Sequence, residues 1–316
     1  MTKKITDYTV TDKLTGMDDD WPHDPNVPEL PSVPDAANPP PLKDNWLWKY
    51  YDDKMRPPRA TRPGPKTDIV NEANPLEADV CWSMRSPYSY LTLHRLVWLN
   101  SNYNVNINIR VIFPVAVRTR HEGGKAGSGR YYKMGDAFND TVRSGQYNGV
   151  PFKYPYPDPI WQNEYPPESA DNAIHPLEKQ PYISWLVRLG NYAELQGKCL
   201  DYVHAVSGMI WTGEVDWWPA HVKERFNTIE GLDYDTAIQY IRNNTAEVDA
   251  VWQKNQVIQM DSGHGGVPLM IFQGEPFFGQ DRFDQFYWRL RQSGLTRRDQ
   301  PRGPFCVKPL RWPDHE

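Results

Sequence analysis

Between residues 78 and 117 the chain reads ADVCWSM, then SPYSYLTLHRLVWLN, then VNINIRVIFPVAV. The first and third segments are short apolar runs that predict strands. The second sets Leu91, Leu93, His94, Val97 and Trp98 near helical spacing. This order constrains the fold more than any other stretch. Two strands joined by a helical crossover of this length are most simply parallel, because a parallel pair needs such a connection. The expected class is therefore α/β, with the second strand running over 105–117.

The segments on either side complete the organisation. Thirteen of the 30 prolines fall before residue 78, in runs such as PNVPELPSVPDAANPPPLKD and MRPPRATRPGPK. There proline removes backbone donors and favours extended chain, so 1–77 is expected to be a proline-rich N-terminal extension with no core of its own. Its NWLWKYYDDK stretch is costly to leave in water and is expected to dock on the main body or on a second subunit; a mobile tail is the alternative. From residue 119 the chain turns glycine-rich and basic, passes through the loop GVPFKYPYPDPIWQNEYPP, and becomes helical. Ile183, Leu186 and Val187 mark one periodic run and Leu200, Val203, Val206 and Ile210 another. DYDTAIQYIRNN and TAEVDAVWQKNQVIQM add two more, so 119–258 reads as a helical insertion. In the last part, 259–316, VPLMIF, a QGE turn and PFFG precede DRFDQFYWRLRQSG, a hairpin followed by a helix.

Composition excludes several classes. With 35 basic and 40 acidic side chains and a net charge of -5, the chain offers no broad footprint for phosphate backbones, so nucleic acid is not an expected partner. The start MTKKITDYTVTDK has no apolar run behind its lysines, and no stretch approaches the roughly 18 apolar residues of a membrane span; a cytoplasmic protein is expected. The three cysteines, Cys81, Cys199 and Cys306, lie far apart, which removes a zinc ribbon and a dithiol redox centre; any thiol chemistry uses a thiol from outside the chain. No histidine spacing suits a metal, and none is expected. EGGKAGSGR is not a phosphate loop, because Thr119 stands at the first glycine position and Ala126 follows the lysine where Ser or Thr would ligate magnesium. The 13 Trp and 18 Tyr suit either ordinary cores or cavities for flat apolar ligands.

Three short motifs can carry chemistry, and each has a plain structural use as well. Ser86-Pro87 is a common helix start, with the hydroxyl capping a free N–H and proline needing none. The same place suits an anion, and a thiolate there has a lowered pKa. Gly-Val-Pro at 266–268 leads into a strand. A cis Val267–Pro268 bond would leave the Val267 backbone free to pair with an extended peptide, whereas a trans loop has no such use. In FFGQDRF, Asp281 is a good first-turn residue. It is also a carboxylate able to pair with an ammonium group beside helix-start N–H groups that take a carboxylate. His264 in SGHGGVP reads as a solvated loop histidine.

In this order, SPYSYL, a long helical insertion, GVP and GQDR resemble the DsbA-like thioredoxin superfamily. Within it they are similar to the 2-hydroxychromene-2-carboxylate isomerase and kappa-class glutathione transferase group. YNGVPFKYPYPDPI is also similar to a loop of that group. The resemblance covers roughly 78–295 and implies a thioredoxin-like fold with a helical domain inserted, plus the N-terminal extension, with glutathione bound where the two parts meet. It implies that Ser86 contacts the glutathione sulfur as the catalytic residue and that Val267, before Pro268, pairs with the glutathione cysteine. Gln280 and Asp281 then hold the γ-glutamyl end, and Arg130 lies near the basic residue for the glycine carboxylate. Tyr88, Trp217 and Trp218 are the aromatic candidates for the substrate pocket.

For such a protein the expected activity is glutathione-dependent isomerisation of a small aromatic catabolite by reversible thiolate addition, in a homodimer. The alternatives are a kappa-like transferase, which leaves glutathione on the product, and a non-catalytic thioredoxin-like binding module. A dithiol oxidoreductase is disfavoured, because Ser86 and Ser89 occupy the two positions of a C-x-x-C pair.

Overall fold

The structure is a computed structural model, and it describes residues 69–118, 131–160, 180–214 and 217–302. Arg130 and most of the N-terminal extension, with its NWLWKYYDDK stretch, lie outside the described residues.

The chain opens with β1 (Leu76–Trp82), α1 (Pro87–Asn102) and β2 (Val105–Val111). The two strands are parallel, with Leu76 opposite Val105 and Trp82 opposite Val111, as the crossover helix demands. β2 alternates strictly: Val105, Ile107, Ile109 and Val111 are buried, and Asn106, Asn108 and Arg110 point away from the core. The strand does not continue to residue 117. It ends at Val111, and Val115–Arg118 forms a short helix, α2. Pro114 accounts for the break, since it has no N–H for a ladder and restricts the residue before it.

Six helices follow: α3 (Tyr131–Asn148), α4 (Pro181–Leu195), α5 (Cys199–Trp211), α6 (Ala220–Phe226), α7 (Tyr234–Asn243) and α8 (Thr245–Asp261). α4 and α5 are split at Gln196–Lys198. The sheet then resumes with β3 (Leu269–Phe272) and β4 (Glu275–Phe278). Gln273 and Gly274 make the two-residue turn with φ of 51° and 81°, the left-handed pair that matches strand twist in a tight hairpin. A 3₁₀ turn (Gln280–Arg282) leads into α9 (Phe283–Gln292).

The strand order is β2-β1-β3-β4, and β3 runs antiparallel to β1. Because side chains alternate across a sheet, one strand feeds two cores. Ala78, Val80, Trp82, Met270 and Phe272 join the main core with Leu93 and Leu96 of α1 and Phe283, Phe286 and Leu290 of α9. Cys81, Leu269 and Ile271 form a smaller cluster with Ile258 of α8. Arg110 ties sheet to insertion: it binds Asp79 on β1 and Glu194 on α4, and Glu194 takes a further hydrogen bond from Asn255 of α8 at 2.7 Å. Burial pushes the Glu194 carboxyl above its usual range despite these partners. The helices of the insertion thus pack on the sheet rather than beside it, and the start of α1 lies where the two parts meet.

Candidate active site

β1 ends at Trp82, and a tight turn, Ser86 N–H to Ser83 carbonyl at 3.0 Å, swings the chain into α1. Ser86 is the N-cap and Pro87 the first helical residue; the Ser86 hydroxyl accepts from the Ser89 N–H at 3.1 Å. Its proton points the other way, donating to the Val267 carbonyl across 3.5 Å, a long contact that a better acceptor can take over. The Tyr88 N–H has no acceptor among the described residues, and no acidic residue occupies the first turn. The positive end of α1 therefore keeps a free donor beside the hydroxyl.

The Val267–Pro268 bond is cis. Its loop is held from below by Gln259, a buried residue of α8 whose Nε2 donates to the Gly266 carbonyl at 2.7 Å. His264 is not simply solvated: its Nδ1 accepts from the Gly266 N–H at 3.0 Å and its ring stacks on Phe278 at 3.9 Å. The Pro268 carbonyl accepts from the Gly279 N–H at 3.0 Å, which joins this loop to the start of the last helix. Gly279 has φ 97°, and a Cβ there would meet the Asp281 carboxylate at 2.5 Å, so glycine is required for that carboxylate to fold back over the turn. Ser86, Val267, Pro268, Gln280 and Asp281, scattered over almost 200 positions in sequence, are thereby brought together at the start of α1.

Tyr88 lies within electrostatic reach of Asp281. Its hydroxyl donates to Asp140 of α3 at 2.8 Å, and burial, Asp140 and the nearby Asp281 together push its pKa up, so it stays protonated. The loop 151–160, in which Tyr156–Pro157 is also cis, is tied to the start of α1. Arg85, next to Ser86, grips Asp158 of this loop with two 2.8 Å hydrogen bonds. Tyr154 of the loop shares a 2.6 Å hydrogen bond with Thr141 of α3. The Tyr90 hydroxyl, pushed up to about 12 by burial, donates to the Pro151 carbonyl at 2.6 Å. Tyr90→Phe removes that tie while keeping the ring stacked near Trp211. It is expected to cost about 1 kcal/mol in urea unfolding, since water can still reach the exposed end of the loop. Equal midpoints for the two proteins would show that the tie does not hold the loop.

Other expected residues fall elsewhere. Trp217 is fully buried, with its indole N–H on the Pro157 carbonyl at 3.0 Å, so it is a core residue supporting the loop and not a wall that substrate touches. Trp218 lines a different groove, of 640 Å³, with Trp185, Tyr234 and Arg242 between α4 and α7. The aromatic reading of WW detected large side chains but could not tell a packed indole from a wetted one. Arg85, Asp158, Asp140, Tyr154, Gln259 and Arg95 were not found from sequence. Of these only Arg85 had a signal, its place beside the Ser86 cap.

The described thiols are not available for chemistry. Cys81 and Cys199 are buried, and burial holds the Cys199 thiol well above its ordinary pKa. Among the described residues no cluster of His, Cys, Asp or Glu could hold a metal, and no helix is long and apolar enough to cross a membrane.

No family model matches the chain, and no curated protein matches it. Solved structures do. That of a 2-hydroxychromene-2-carboxylate isomerase is similar over 69% of this chain and 95% of its own, with TM-score 0.50 and 22% identity. That of a probable DsbA oxidoreductase from Streptomyces coelicolor is similar over 69% of this chain and 89% of its own, with TM-score 0.46 and 14% identity. At 22% identity the first likeness is one of fold, and it agrees with the strand order and the helices set between the two strand pairs: this chain has a thioredoxin-like α/β fold with a helical insertion.

Proposed function

We propose that the residues gathered at the start of α1 bind glutathione and that the protein is a glutathione-dependent isomerase of a small aromatic catabolite, similar to 2-hydroxychromene-2-carboxylate isomerase. One observation carries the reading: the Ser86 hydroxyl, the Val267 backbone and the Gln280–Asp281 turn meet through the 3.5 Å and 3.0 Å contacts described above. The fit to the group is chemical. A hydroxyl and a free N–H at the positive end of a helix suit a thiolate, the peptide edge of Val267 suits an extended cysteinyl backbone, and an exposed carboxylate at Asp281 suits an ammonium group. Both cysteines among the described residues, Cys81 and Cys199, are buried, which favours a thiol from outside the chain as the nucleophile.

Glutathione, when bound, supplies a thiol that adds reversibly to an unsaturated carbon of the substrate and is released once the bond between has rotated. The chain's own part is to bind and to orient. Ser86 would turn its O–H hydrogen bond from the Val267 carbonyl to the sulfur, keeping its proton, while its oxygen stays on the Ser89 N–H, so capping and thiolate binding would use opposite sides of one atom. The Tyr88 N–H adds a second donor. Unperturbed thiols titrate near 8.5, so lowering that by about one to two units raises the ionised fraction at pH 7 roughly tenfold or more. Tyr88, held on Asp140 and kept protonated, would offer an aromatic substrate a ring without a charge.

Asp281→Ala is expected to weaken glutathione binding about tenfold, the loss of one exposed charge-assisted contact. Titration calorimetry checks this, and equal affinity in the variant would remove Asp281 from the site. Mass spectrometry of the product tests the reaction: an isomer of unchanged mass supports isomerisation, and a product heavier by one glutathione replaces it with conjugation.

A further inference from the structure

Arg95, further along α1 than Ser86, reaches the 3₁₀ turn at Gln280. Its Nη2 donates to the Gln280 carbonyl at 2.7 Å and to Gln280 Oε1 at 2.8 Å. The guanidinium lies over the Phe283 ring, 5.0 Å from its centroid, and its Nε is buried with no hydrogen-bond partner. Packing thus holds this cation out of water against two oxygens of a single residue. Asp281 and Asp284 are its nearest compensating charges.

Arginine carries only donors. The Gln280 side-chain atom that meets it must therefore be the oxygen, and the orientation of that amide is fixed by chemistry. Its outer atom is then Nε2, which donates to none of the described residues. One position later the Asp281 carboxylate, paired with Arg282 at 3.1 Å, is 62% exposed and open to a second cation. A donor and an acceptor thus stand side by side, the complement of an amino acid end that carries a carboxylate and an ammonium group.

We propose that Arg95 is a positioning residue that sets Gln280 as a donor, and that it thereby selects γ-glutamyl thiols over thiols lacking that end. This rests on the glutathione reading above. Without Arg95 the amide can turn, and its oxygen then faces the ligand's carboxylate.

The experiment measures, by calorimetry on the full chain, affinities for glutathione and for cysteinylglycine, which keeps the thiol and the peptide but lacks the γ-glutamyl group. In Arg95→Met, which keeps an apolar stem on Phe283, the preference for glutathione is expected to fall about tenfold, with cysteinylglycine affinity unchanged. Gln280→Glu, which leaves Arg95 in place but offers the ligand a carboxylate oxygen, is expected to reduce the preference at least as much. Should Arg95→Met fail to melt cooperatively, Arg95→Gln and Gln280→Glu read the same ratio, since a glutamine offers both a donor and an acceptor and no longer fixes which end of the amide it meets. An unchanged ratio, or an equal loss for both thiols, overturns the role of Arg95 while leaving the glutathione site standing. Wild-type protein that binds neither thiol, or binds both equally, overturns the glutathione reading and this inference together.

Discussion

Replacing Ser86 by alanine is expected to slow turnover about ten- to a hundredfold while the chain still folds. The hydroxyl has two roles that the variant separates. As a cap it accepts from the Ser89 N–H, and its loss costs about 1 kcal/mol of stability, softened because Pro87 still presets the first turn. As a donor it stabilises the thiolate, and each 1.4 kcal/mol or so of that bond is about one pKa unit. The thiolate ultraviolet absorbance of bound glutathione, followed with pH, should move toward the free-thiol range in the variant. Superimposable titration curves would contradict the thiolate role and leave Ser86 a cap alone.

Acid sensitivity is the second large effect. His94 on α1 and His204 on α5 meet edge to face with ring centroids 6.3 Å apart, and the His94 Nε2 is buried without a hydrogen-bond partner. Burial lowers both pKa values, and with His94 beside it His204 is pushed down to about 4. In the unfolded chain both rings titrate near 6.5. Above that pH neither state takes a proton and the pair does not affect stability. As pH falls below it, the unfolded chain binds protons that the folded chain refuses, so stability is lost from about pH 6.5 down to about pH 4. The His204 share is about 3 kcal/mol. Urea unfolding across this window should show a falling midpoint in the wild type and a shallower fall in His204→Gln. Parallel slopes in the two proteins would show that the ring does not titrate on unfolding.

The local features were legible and the long-range ones were not. The cap at Ser86-Pro87, the crossover of α1 and the tight turn at Gln273-Gly274 are set by neighbouring residues, and the structure has each of them. The strand ending at Val111 was misread because the apolar character of VIFPVAV outweighed the one residue, Pro114, that cannot continue a ladder. The partners of the site were hidden for a different reason. Arg85 meets Asp158 and Arg95 meets Gln280 only once the insertion and the hairpin have closed on α1, across 73 and 185 positions of chain. In sequence Arg95 is one polar residue in an apolar helix, and nothing local distinguishes a solvated arginine from one that aims an amide. Trp217 shows the converse: a residue suited to a ligand wall is buried behind a loop that its indole supports.

The most direct measurement is a crystal structure of the protein with glutathione. The expected result places the sulfur within hydrogen-bonding reach of the Ser86 hydroxyl and the Tyr88 N–H, the cysteinyl backbone along Val267, and the γ-glutamyl end between Gln280 and Asp281. Glutathione bound elsewhere, or no glutathione bound at millimolar concentration, would contradict the proposed site.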